Sequence, residues 1–152
     1  MKKLALGITF LILLSFFGCA TINKPVEPIW TFDCAIDIND GTVTGNCSIG
    51  DTKLITVDSP KSLEGMKFSL EGSIISAELG GLSKSSDSEP SIMDFLPSKA
   101  LILINDLMEL PLNFVSQGDG KTMYTAGDTT VVVNDSGAVT YIKSTDMVIR
   151  FT

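Results

Sequence analysis

The chain has 152 residues and a formal charge of −7, from 11 basic and 18 acidic side chains, a length that suits one domain. It has no histidine, which excludes Ser-His and Cys-His catalysis, histidine general bases and histidine-ligated zinc. Three cysteines are too few for an all-cysteine tetrahedral metal site, and an acidic surface gives phosphate no basic patch, so nucleic acid is not an expected partner. What remains is a small exported binding or structural domain. We expect no enzyme, no metal site and no cofactor.

Lys2 and Lys3 precede 14 residues, Leu4 to Phe17, that are apolar except for Gly7, Thr9 and Ser15. That is short of the roughly 20 residues a transmembrane helix needs and has the length of a signal-peptide core. A signal peptide is therefore expected over residues 1–18. It ends in Gly18-Cys19, which resembles the lipobox of bacterial lipoproteins, with Phe16 where Leu is usual. The resemblance implies cleavage before Cys19 and a diacylglycerol on its thiol, with palmitate as an acyl chain of the anchor. Other readings of the segment are an ordinary signal peptide or an uncleaved anchor. Residues 19–28, polar and with two prolines, are expected to be a tether to the membrane. Loss of the leader leaves nine basic against 18 acidic residues, a charge of −9. The expected location is the cell envelope, outside the cytoplasm, with the choice of membrane open.

From residue 29 to 152 one domain is expected. Asp40-Gly41 between two alternating stretches signals a type I′ hairpin. Taking those two residues as the loop sets Ile38 against Val43, Ile36 against Gly45 and Cys34 against Cys47. Cys34, Ile36, Ile38, Val43, Cys47 and Ile49 then share the dry face. A Cys34–Cys47 disulfide fits that register and an oxidising compartment; two buried free thiols are the other reading. Lys53–Asp58 is a short strand. A second hairpin around Glu71-Gly72 pairs Phe68 with Ile75 and Met66 with Ala77. Residues 80–91 are expected to be a flexible Ser-rich loop. The one helix, Pro97–Leu110, starts on a proline and ends before Pro111, and its central turn is apolar almost all round, so it should be enclosed. Four strands close the chain: Lys121–Thr125, Thr129–Asn134, Val139–Lys143 and Met147–Phe151. Gly118-Asp119-Gly120-Lys121-Thr122 lacks the first glycine of a phosphate-binding loop, since Val115 occupies it, and reads as a turn. The expected fold class is α+β: a curved antiparallel sheet of seven to nine strands, an incomplete β-barrel, wrapped around one apolar helix.

Between Phe32 and Phe151 the order of parts is two opening strands, then Ile55-Thr56-Val57-Asp58-Ser59-Pro60, Leu63-Glu64-Gly65-Met66-Lys67-Phe68, a hairpin, a helix and a closing meander. This resembles the LolA/LolB-like lipoprotein-carrier fold, as a small lipid-anchored bacterial relative. The resemblance implies an apolar cavity between sheet and helix and, as ligand, an acyl chain or the lipid of a lipoprotein. The candidate lining is Phe68, Ile75, Leu79, Leu101, Ile104 and Met108; the same residues also suit a filled core. Two functions follow: an anchored, non-enzymatic binder of an apolar ligand, or an anchored structural or protein-interaction module that offers a strand edge to an envelope partner.

Overall fold

The computed structural model describes residues 24–88 and 90–152. The expected signal peptide of residues 1–18, the expected lipidation site Cys19 and the expected tether as far as residue 23 lie outside the described residues.

Eleven antiparallel strands form one sheet. In chain order they are β1 (Phe32–Ile38), β2 (Val43–Ile49), β3 (Lys53–Ser59), β4 (Lys67–Glu71), β5 (Ile74–Leu79), β6 (Leu82–Ser85), β7 (Asn113–Gly118), β8 (Lys121–Ala126), β9 (Thr129–Asn134), β10 (Val139–Lys143) and β11 (Val148–Phe151). One α-helix, α1 (Leu96–Glu109), follows a 3-10 turn at Pro90–Asp94. The spatial order is β6-β5-β4-β3-β2-β1-β11-β10-β9-β8-β7. Two meanders therefore join where β1 meets β11, with Ile36 opposite Phe151 and Ile38 opposite Ile149. The N- and C-terminal strands close the centre of the sheet, and β6 and β7 are its two edges.

This corrects the expected fold class. The described residues are predominantly antiparallel sheet, one open sheet of 11 strands with a single 14-residue helix among them, rather than an α+β barrel wrapped around that helix. The helix itself lies where the Pro97 and Pro111 signals place it, within one residue at each end. It packs closest on β3, β4 and β1. Ala100, Leu101, Ile104 and Leu107 are buried on its inner side. Val131, Val133, Ile142 and Ile149, from β9, β10 and β11, have no exposed surface and belong to the same contiguous core.

The first hairpin has the expected register, with Cys34 opposite Cys47, Ile36 opposite Gly45 and Ile38 opposite Val43. Its loop is wider than two residues: Asn39, Asp40 and Gly41 all have positive φ, at 52°, 53° and 85°. Asn39 leaves the strand because its side chain has another partner, accepting the Val148 amide at 2.8 Å. Gly45 is required by packing, since a Cβ there would sit 2.1 Å from the Thr56 carbonyl oxygen where β2 bulges against β3.

The second hairpin is shifted by two residues from the expected register. Phe68 faces Ala77 and Leu70 faces Ile75, because the loop is Gly72-Ser73 and Glu71 still pairs with Ile74. A shift of two leaves each side chain on its face, so Phe68, Leu70, Ile75 and Ala77 remain inside. The Ser-rich loop is also corrected. Gly80 and Gly81, at φ 59° and 84°, turn the chain tightly enough for β6 to pair with β5.

Candidate functional site

On the outer face, away from α1, the last five strands carry a surface groove of about 750 Å³. Its floor is one row of registered cross-strand neighbours. Ser116 of β7 faces Met123 of β8, which faces Val132 of β9. Val132 faces Tyr141 of β10, which faces Arg150 of β11. Direct neighbours on one face of antiparallel strands stand about 4.5–5.5 Å apart at Cβ, so five side chains make a continuous strip across the strands. A second row adds Gly118, Lys121 and Asn134. The Asp119-Gly120 turn, with φ 53° and 71°, closes one end.

Two register shifts shape the strip. In β10 the ladder slips between Val139 and Tyr141. The bulge turns Thr140 and Tyr141 both toward the groove, while Val139 and Ile142 stay buried; re-aiming a side chain is what a bulge does. In β7 the shift lies between Phe114 and Ser116 and leaves Val115 unpaired. All six residues of β7 are exposed, and none is charged.

The groove's charge sits at its ends. Arg150 pairs with Asp40 from the first hairpin and lies 5.9 Å from the centre of the Tyr141 ring. The Asp40 carboxylate holds the guanidinium pKa above its ordinary value, and the aromatic face adds a cation–π attraction. Lys121 has no ion-pair partner among the described residues. No group of three or more His, Cys, Asp or Glu side chains that could hold a metal occurs among the described residues. Two cations, amide and hydroxyl groups and an apolar floor suit non-covalent binding of an extended segment.

The six residues expected to line an internal cavity do not come together as a lining. Phe68, Ile75, Leu101 and Ile104 have 0% exposure. Met108 is half-buried against the core, and Leu79 is exposed at the end of β5. A hollow wide enough for an acyl chain would leave its walls open to a water-sized molecule, and these four side chains have no such surface. None of the six lines the outer groove.

Cys34 and Cys47 are registered partners, as the hairpin predicted, but both are free thiols rather than the expected bridge. Burial, then the nearby Cys34 and Asp33, push the Cys47 thiol up to about 12. Burial, with Asp33, also raises Cys34.

Sequence reasoning missed β7 and the groove. The alternation of Lys121, Met123 and Thr125 with buried Thr122 and Tyr124 was a usable signal for an outward row. The β10 bulge that adds Tyr141 had none.

No family model, curated protein or solved structure matches the chain, so the resemblance to lipoprotein carriers rests on the residues that suggested it.

Proposed function

We propose that the chain is a lipid-anchored, non-enzymatic protein of the bacterial envelope that engages a protein partner along the Ser116–Gly118 half of β7 and the adjoining outer groove. The observation that carries this reading is the character of that edge: six exposed residues without a charge or a proline, beside a groove floored by Met123, Val132 and Tyr141. Edge strands are usually blunted by charges, prolines or covers, because their free N–H and C=O groups recruit further strands. An extended partner segment adds main-chain hydrogen bonds at such an edge and places alternate side chains in the groove beside it. Lys121, which has no ion-pair partner among the described residues, favours an acidic group on that segment. The acyl-chain reading lacks a comparable support, because its proposed lining is packed.

A photo-cross-linking residue at Ser116 in intact cells tests this. It should give a discrete adduct that a second change, Lys121→Glu, strongly reduces. The same probe at Ile74, exposed on β5, should give none. Equal adducts from both positions, or an adduct at Ser116 indifferent to Lys121→Glu, would overturn the reading.

A further inference from the structure

The segment that joins the expected anchor to the domain is held against the sheet. The Tyr124 hydroxyl donates to the Val26 carbonyl at 2.7 Å, and the Ile29 amide donates to the Gly137 carbonyl at 2.8 Å. Lys24 and Pro25 share a surface hollow of about 380 Å³ with Leu112 and Phe114. Lys24 also pairs with Glu27 at 2.8 Å. The strap therefore ends its described course beside the start of β7.

That place is apolar and uncovered among the described residues. Leu110 is 52% exposed, Phe114 49% and Val115 50%, with Leu112 half-buried between them. The run Leu110–Gly118 has no charged residue; the nearest in sequence are Glu109 and Asp119. The ring of Phe114 stands edge-on to Tyr124 at 6.2 Å, so the patch is braced by the same tyrosine that holds the strap.

Chain length decides what covers it. Lys24 is five residues beyond Cys19, and five residues span at most about 18 Å when fully extended. Since Val26 and Ile29 are tied down, the tether cannot lengthen by peeling its later part away without breaking those bonds. We propose that the apolar surface of Leu110, Leu112, Phe114 and Val115 rests in the interfacial layer of the bilayer that holds the anchor. This rests on Cys19 as the lipidated residue. Aromatic and aliphatic side chains beside a lysine suit that layer. The placement also fixes an orientation: the start of β7 faces the lipid, and the Asp119-Gly120 turn that closes the groove stands at the other end of that strand.

The test uses the full-length lipidated chain in vesicles of phosphatidylcholine with brominated acyl chains. The wild type has a single tryptophan, Trp30, so an added tryptophan is read by difference. Phe114→Trp should be quenched strongly by the brominated lipid, and Leu82→Trp on the opposite edge strand should not. Mass spectrometry of the same sample reads the Cys19 modification. A lipid on Cys19 with Phe114→Trp unquenched would overturn the bilayer contact and leave the anchor standing. An unmodified Cys19 would remove both. Should the Phe114 variant fold poorly by its urea midpoint, Val115→Trp, at the unpaired bulge position, gives the same reading. Quenching equal at positions 114 and 82 would also overturn the proposal, since it would mean no preferred orientation.

Discussion

Leu101→Ala separates a packed core from a ligand cavity. Leu101 has no exposed surface and sits on the inner side of α1, whose closest strands are β3 and β4. The substitution removes three carbons. At about 0.8 kcal/mol for each, the transfer loss is about 2.4 kcal/mol. A residual hollow of about 60 Å³ adds about 1.4 kcal/mol at 24 cal/mol per Å³, for a total of about 4 kcal/mol, inside the usual span of about 2–5 for Leu→Ala. With a urea slope of about 2 kcal/mol per molar, the midpoint should fall by about 2 M. Ile104→Trp serves as the counterpart, because adding volume to a filled interior costs about 1–3 kcal/mol or more. Urea melts followed by Trp30 fluorescence measure both, and uptake of a fluorescent fatty acid by wild type is measured alongside. If Leu101→Ala cost under about 1 kcal/mol, Ile104→Trp were tolerated and wild type took up the fatty acid, the packed-core reasoning would fail and the carrier reading would return.

Two predictions concern the thiols. Because Cys34 and Cys47 are registered cross-strand partners, loss of two electrons to an oxidising compartment should join them; the loop of about 14 residues is worth roughly 3 kcal/mol in the chain-entropy account. Non-reducing peptide mapping of chain taken from that compartment should find the 34–47 linkage, and two alkylatable thiols would refute it. In the reduced chain the Cys47 thiol keeps its proton up to about 12, against 9.0 for an unperturbed thiol. Between those values the folded state binds more protons than the unfolded one, so stability falls as pH rises, by about 1.4 kcal/mol per unit and about 4 kcal/mol across the window. The urea midpoint of reduced wild type should therefore decline more steeply above pH 9 than that of reduced Cys47→Ala. Parallel slopes would show that Cys47 is not buried as described.

The legible parts of the fold were those with a local signature. Asp40-Gly41 between two alternating runs set a register that the structure keeps at every pair from Phe32–Ile49 to Ile38–Val43, even though Asn39 joins the loop. Pro97 and Pro111 bracketed the helix because one lacks a donor where none is needed and the other cannot continue the ladder. What failed was the inference from an apolar helix to an enclosing barrel. The central turn of the helix is apolar almost all round, but Ile102, Leu103 and Met108 only lean on the core from partly buried positions, and Lys99, Asp106 and Glu109 are exposed. Eleven strands with one helix, and a sheet closed at its centre by β1 against β11, depend on which termini pair. No local pattern encodes that. The β4–β5 register slipped by two for a related reason: Glu71-Gly72 and Gly72-Ser73 are both acceptable loops, and a two-residue shift keeps the same side chains inside, so hydrophobic patterning cannot choose between them.

The groove shows the same division more sharply. Its residues come from β7, β8, β9, β10 and β11, and their neighbours in space are set by register, so Ser116, Met123, Val132, Tyr141 and Arg150 become one row only when four pairings are known together. The sequence around Tyr141 reads as plain alternation; the bulge that brings Thr140 and Tyr141 to one side is a product of the β9–β10 pairing. The β7 strand was hidden differently. Asn113-Phe114-Val115-Ser116-Gln117-Gly118 has two adjacent apolar residues and no clean period, because an edge strand with exposed side chains on both faces has no core to enforce one. An edge without charge, proline or cover departs from the usual protection of sheet edges. The strap at Lys24–Ile29, held by Tyr124 and Gly137, would account for one half of it if Cys19 carries the proposed anchor, since the start of β7 would then stand within a few residues' reach of lipid. The other half, from Ser116 to the Asp119-Gly120 turn, has no such cover within the described residues, and there the groove would supply to the proposed partner segment what a bare edge lacks: side-chain contacts that let one segment be preferred over another.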